Sequence, residues 1–250
     1  MFLKKRKNPE KWLKQMGITQ FLIREDNTID VYQDVRLFGN IPKLPVKFGI
    51  IEGDFSCFDV GLTTLYGCPY KVKGTFRCDG NQLVSLKYGP KEVGELFDCS
   101  KNKLTSLEYC SEKIGGSLIC INNKLITLKG CPLELGDSLN CNMNFLTSMV
   151  FCPPHIKGHL SCSYNELTSF HGFPEKVDSF LLFSDNKISE TELSKFNTKV
   201  EFDIIQNIIN GKKEEFLKIV NAKKIIAEKE LLINLNDISI SKESKKYTRL

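Results

Sequence analysis

Residues 97–110 read FDCSKNKLTSLEYC and residues 160–170 read LSCSYNELTSF. Their cysteines, Cys99 and Cys162, belong to a ladder that runs Cys57, Cys78, Cys99, Cys120, Cys141, Cys162 at a constant 21-residue step, with Phe183 on the next rung. Three residues after each rung from Cys78 onward stands an asparagine (Asn81, Asn102, Asn123, Asn144, Asn165, Asn186). Two residues further on comes an aliphatic residue (Leu83, Leu104, Leu125, Leu146, Leu167, Ile188). A fixed period near 20 marks stacked supersecondary units, each too small to bury its apolar face alone, so the chain reads as a solenoid.

Further columns fill in the unit. An apolar residue precedes each rung by two (Phe55, Phe76, Phe97, Leu118, Leu139, Leu160, Leu181), another follows it by eight, and Val, Ile or Leu follows by fifteen. Period-2 alternation around the rung, as in Phe97-Asp98-Cys99, predicts a short strand with Phe and Cys pointing inward. Stacked in register, such strands make a parallel sheet on one face. Counting back one period from Cys57 places Arg36 on a degenerate first rung.

All ten cysteines fall in two columns. Six are the rungs, and Cys68, Cys110, Cys131 and Cys152 lie eleven residues after a rung, where Gly89 and Phe173 take the place in two repeats. Such substitutions would orphan a disulfide partner, and parallel side chains about 4.8 Å apart suit a disulfide dihedral poorly. Short ligand loops of the zinc type are absent, so no metal and no cofactor is expected, and the cysteines read as small buried hydrophobes. The asparagines read as structural, each able to exchange hydrogen bonds with the backbone of its own and the next unit. His155, His159 and His171 occupy no inward column and read as solvated residues.

The sequence has 250 residues and a net charge of +5 that is unevenly spread: residues 1–28 carry seven Lys/Arg against three acids, while residues 29–199 carry 18 against 19. No apolar run approaches the roughly 18 residues of a membrane span, and MFLKKRKNPEK lacks the apolar core of a secretory signal. A soluble, cytoplasmic protein with no membrane partner is expected. Asn8-Pro9-Glu10 starts a helix that stops at Gly17, with Trp12, Leu13 and Met16 on one stripe, and residues 21–31 read as a hairpin. Together residues 1–35 make an N-terminal cap, residues 36–188 the repeats, and residues 189–250 a C-terminal helical cap with a polar tail. Ser189 with Glu192 forms a capping box; helices are expected over 200–210 and 212–233, and Ile238 and Ile240 could add a strand. The fold class is therefore α+β and β-rich: a repeat solenoid with a parallel sheet on one face and helix-containing caps.

The pattern LxCxxNxLTSLxxCPxxVxG resembles the leucine-rich repeat, with cysteine at the second apolar position of its LxLxxNxL strand. The units FDCSKNKLTSLEYC and LSCSYNELTSF resemble those of a group of repeat proteins encoded by bacteriophages and some bacteria, and LPVKFGIIEGDFSC and FLIREDNTIDV look like the lead-in of the same group. The resemblance covers about residues 18–188; Val60 departs from the asparagine column, as do Gly89 and Phe173 from the second cysteine column. It implies a leucine-rich-repeat solenoid and a part in engaging or inhibiting a host protein during infection.

No catalytic constellation converges in the sequence, so the expectation is a non-catalytic module that binds another protein. The outward positions flanking the rungs are where a site would lie. Ile119 and Ile121 form an apolar centre with Leu96 and Met143 near, flanked by Phe58, Arg77, Asp79 and Asp98 on one side and by Asn140 and Asn142 on the other. An apolar centre with a polar rim is how protein interfaces are built. The alternative is nucleic-acid binding through the basic ends, near Lys4 to Lys7 and Lys212 to Lys224.

Overall fold

The computed structural model describes residues 8–195, and in it each 21-residue unit is one turn of a β-solenoid. Eight two-residue strands, Val35–Arg36, Phe55–Ser56, Phe76–Arg77, Phe97–Asp98, Leu118–Ile119, Leu139–Asn140, Leu160–Ser161 and Leu181–Leu182, pair in parallel as a front sheet. From Phe55 onward each residue pairs with the one 21 positions later, Phe55 with Phe76 and Phe97 with Leu118 among them. The alternation is why: a slip of one residue would turn the buried Phe/Leu and Cys columns to solvent.

A second parallel ladder runs along the back, beyond the single sheet that the columns predict. It begins in the hairpin Phe21–Ile23 with Thr28–Val31, continues through Lys47–Ile51, Lys71–Val72, Glu92–Val93 and Lys113–Ile114, and reaches Leu135 by a single bridge. It resumes as the pair His155–Ile156 and Lys176–Val177. The apolar column fifteen after the rung supplies its inward residues: Val72, Val93, Ile114, Leu135, Ile156 and Val177 are all buried. In four repeats the residue thirteen after the rung donates its N–H to the preceding repeat, Tyr70 to Gly49, Lys91 to Tyr70, Glu112 to Lys91 and Glu175 to Pro154 at 2.8–2.9 Å. Pro154 holds that position at the break, and proline has no N–H to give.

The first repeat is one residue short. Val35 pairs with Phe55 and Leu37 donates to the Ser56 carbonyl at 2.8 Å, so Leu37, not Arg36, holds the rung; Leu37 is buried and Arg36 is exposed. Strand alternation dictates this, since Val35 and Leu37 face inward together. The same shift accounts for Val60. Ile41 gives its N–H to the Val60 carbonyl, a bond that in later repeats passes through an asparagine side chain.

Inside, the asparagine column is a hydrogen-bond ladder. Asn81 accepts from the N–H of Leu62 at 2.8 Å and donates to the carbonyls of Cys57 and Cys78 at 2.8 and 2.9 Å. Asn102, Asn123, Asn144, Asn165 and Asn186 repeat the pattern. All ten cysteines are free; nine are buried and Cys152 is half-buried. Several rung thiols donate to a carbonyl of the next repeat, Cys57 to Arg77 at 3.3 Å and Cys120 to Asn140 at 3.4 Å. Burial pushes the Cys110 and Cys141 thiols up to about 12, so they remain protonated packing groups.

Aromatic residues close both ends of the core. Trp12 and Leu13 of the helix Pro9–Gln15 are buried, with the Trp12 ring 6.4 Å from Phe48, and Asn8 caps this helix by accepting from Glu10 at 3.0 Å. Phe48, Phe55, Phe76 and Phe97 continue as a row of rings 5.1–5.8 Å apart. At the far end Phe170, Phe173 and Phe183 pack edge to face at 5.1–6.4 Å, which is why phenylalanine replaces cysteine in both columns there. The helix Glu190–Lys195 follows, with Ser189 accepting from Glu192 at 3.2 Å. The helices expected over 200–210 and 212–233, the strand residues Ile238 and Ile240, and the basic stretches Lys4 to Lys7 and Lys212 to Lys224 lie outside the described residues.

Candidate functional site

The front sheet carries its outward residues in two rows. The position before the rung lines up Arg77, Asp98, Ile119 and Asn140 on adjacent strands, paired through the ladder. The position after it lines up Phe58, Asp79, Ser100, Ile121 and Asn142, because the same register carries on through the backbone bonds of Asp59 to Asp79, Lys101 to Ile121 and Asn122 to Asn142. Ser100 therefore separates Asp79 from Ile121. Leu96 stands at the corner, two residues before Asp98, and Met143 sits on the opposite edge, where the chain leaves the strand.

At one end the charges are locked together. Arg77 holds Asp79 through Nε and Nη2, both at 3.2 Å, lies 4.0 Å from Asp98, and has its guanidinium carbon 5.3 Å from the centre of the Phe58 ring. Asp79 is buried, and burial with the nearby Asp98 carboxylate raises its pKa above the ordinary value of 3.8, against the lowering effect of Arg77. Asp98 accepts from the Ser100 N–H at 3.0 Å. At the other end Asn142 accepts from the Ser161 hydroxyl at 2.8 Å and the Ser163 N–H at 2.7 Å, and the Ser184 hydroxyl reaches that of Ser163 at 3.1 Å. Ser161 and Ser163 are buried in this network.

Ile119 and Ile121 lie between these ends, half-buried, with the Ile121 N–H on the Ser100 hydroxyl at 3.1 Å. The apolar surface continues over the edge: Met143, Phe145 and Tyr164 are 51–53% exposed and Ile126 is 63% exposed. Backbone bonds from Met143 to Ser163 and from Phe145 to Leu125 place these residues on neighbouring turns. A cluster of large apolar side chains in solvent marks an interaction surface more strongly than a scattered one.

Phe145 and Tyr164 break the pattern of their columns, and Ile126 stands in one otherwise filled by Thr63, Val84, Thr105, Thr147, Thr168 and Ser189. The position two after the rung is left-handed in every repeat, with φ between 49° and 82°, and holds Gly39, Asp59, Gly80, Lys101, Asn122, Met143, Tyr164 and Asp185. Met143 and Tyr164 stand out where small or polar residues are usual. Phe145 is the one aromatic in a column otherwise filled by Gly61, Gln82, Lys103, Lys124, Glu166 and Lys187.

No protein-family model matches this chain, and no curated protein matches it either. Among the described residues no group of three or more His, Cys, Asp or Glu side chains could hold a metal ion, and no helix is long and apolar enough to cross a membrane.

One serine meets a histidine. The Ser138 hydroxyl lies 2.9 Å from His159 Nδ1, accepts the His159 backbone N–H at 2.9 Å and lies 3.2 Å from Asp137. Ser138 is buried, and the His159 ring stacks on Phe180 with centroids 4.7 Å apart, so the trio braces a corner of the solenoid and offers no open nucleophile. His159 is thus packed, contrary to the expectation of a solvated side chain, while His155 and His171 are exposed.

Proposed function

We propose that the chain is a non-catalytic binding module that holds another protein on the outward face of its front sheet. The observation that carries this reading is the apolar centre at Ile119 and Ile121, continued by Met143, Phe145 and Tyr164 and bordered by the Arg77–Asp79–Asp98 charges and the Asn140–Asn142 amides. Parallel strands held in register by the asparagine ladder present that centre on a rigid support, which lowers the ordering cost of binding. The repeat is of leucine-rich type, in this reading, and its likeness to phage and bacterial repeat units favours a partner from the host cell, engaged or inhibited in the cytoplasm.

The test uses the full chain and a variant, Ile119→Asn with Ile121→Asn, which introduces the residues that the next repeat carries in Asn140 and Asn142. Both are used in parallel to capture proteins from host lysate, and the captured protein is then titrated directly. A partner bound by the full chain and lost by the variant, with both unfolding at closely similar temperatures, supports the front face. Equal binding by both would sink it.

A further inference from the structure

Each repeat turns on a four-residue loop that starts eight residues after the rung. The first carbonyl accepts the fourth N–H at 2.8–2.9 Å in Leu65–Cys68, Leu86–Gly89, Leu107–Cys110, Leu128–Cys131 and Met149–Cys152. The third residue is left-handed: φ is 95° at Gly67, 92° at Gly130 and 79° at Gly172, and also 72° at Tyr88, 69° at Tyr109 and 73° at Phe151. A hydrogen-bonded turn with positive φ at its third position asks for glycine, because an L side chain meets its own backbone there.

Three turns therefore hold an aromatic residue in a conformation that costs it, and burial does not repay the cost. Tyr88, Tyr109 and Phe151 are 53%, 59% and 53% exposed. Tyr66, half-exposed in the first of these turns, meets Tyr88 edge to face with centroids 5.5 Å apart. Serine hydroxyls pin two of the loops, Ser85 accepting the Lys87 N–H at 3.1 Å and Ser106 the Glu108 N–H at 3.4 Å, so the Tyr88 and Tyr109 rings stand on a fixed base. Cations accompany them: Lys47 Nζ lies 5.4 Å from the centre of Tyr66 and Lys87 Nζ 5.1 Å from that of Tyr88. The acids nearby are engaged elsewhere, Glu92 by Lys71, Glu108 by Lys129 and Glu112 by Lys91, which leaves Lys47 and Lys87 without an acidic partner among the described residues.

We propose that this edge is a stacking platform for single-stranded nucleic acid, with bases on Tyr88, Tyr109 and Phe151 and phosphates on Lys47 and Lys87. Every base has a π face, so such a platform binds without regard to sequence, and unpaired ammonium groups beside the rings suit a phosphate backbone. Neutral glycans would use the rings but not the cations. The site is separate from the front face and stands or falls independently of the protein-binding reading.

The experiment titrates labelled oligothymidylate with the full chain, by fluorescence anisotropy at low salt, beside the variant Tyr88→Gly/Tyr109→Gly/Phe151→Gly. Binding by the full chain that is about tenfold or more weaker in the variant, with an unfolding temperature equal to or above that of the full chain, supports the platform. A shallower salt dependence in Lys47→Gln/Lys87→Gln, and weaker binding of a duplex of equal length, support it further. Absence of saturable binding, equal binding by the glycine variant, or equal affinity for duplex and single strand overturns it. A marked fall in the variant's unfolding temperature would also overturn it, since the rings would then be structural.

Discussion

An asparagine in this chain does what no other residue of its size can. Asn123 takes the Leu104 N–H at 3.1 Å on its oxygen and gives its amide hydrogens to the carbonyls of Cys99 and Cys120 at 3.1 and 3.2 Å, uniting two turns of backbone. All of these groups are buried, so Asn123→Ala leaves a donor and acceptors without water or partner. We expect a loss of about 2–4 kcal/mol in urea unfolding, with the neighbouring repeats affected most. Asn123→Asp should fare little better, because a carboxylate cannot donate to the two carbonyls. The column was legible in the sequence because the same bonds recur in every turn, so the same residue type recurs with the period. The left-handed column two after the rung was less so, since Lys101, Met143 and Tyr164 hide it among residues that do not advertise positive φ.

At the scale of the front sheet, neighbouring strands set each other's electrostatics. Arg77 neutralises Asp79 on its own strand and approaches Asp98 on the next, and the buried Asp79 keeps its proton to a higher pH than an unfolded aspartate would. The sign follows from linkage: a carboxyl whose folded pKa is raised favours the folded state most when protonated, and that advantage is lost as pH rises from the unfolded value through the folded one. Relative to the wild type, Asp79→Asn should therefore gain stability as pH rises from about 3 to about 6. Urea unfolding of both proteins across that window measures it, and a difference that is flat or falls with pH would contradict the burial of Asp79. The sequence placed Arg77, Asp79 and Asp98 on one face through alternation alone. That Arg77 spends itself on these acids and on Phe58 depends on side-chain packing across strands.

Over the whole solenoid, cohesion comes from contacts between adjacent turns, so a weak junction matters more than a weak residue. The front sheet and the asparagine ladder are continuous from the Phe55 strand to the Leu181 strand, whereas the back sheet breaks between Leu135 and Ile156, where Pro154 has no N–H to donate. We expect amide hydrogen exchange to divide the repeats into two blocks at this point, with back-sheet amides from residue 156 onward exchanging faster than those of Val72, Val93 and Ile114. Uniform protection along the back sheet would show that the front sheet alone couples the turns. A hollow of about 630 Å³ lies beside the break, lined in part by Cys131, Pro132, Leu133 and Lys157.

By itself the sequence determined the period, the inward columns and the register of the front sheet, because a repeat stacked on copies of itself meets nearly the same residues in every turn. It also singled out Ile119 and Ile121, whose neighbours in the same columns are polar. Only the tertiary structure decided the rest: the short first repeat with Leu37 on its rung, the second parallel ladder and its break, and which outward residues remain open once Asp79, Ser161 and Ser163 are buried in their networks. It alone revealed that Tyr88, Tyr109 and Phe151 occupy positions shaped for glycine. The physical reason is common to all of these. Each depends on how a particular turn packs against its neighbours, or on a backbone angle that many residue types can be forced to adopt, and neither is fixed by residue type alone.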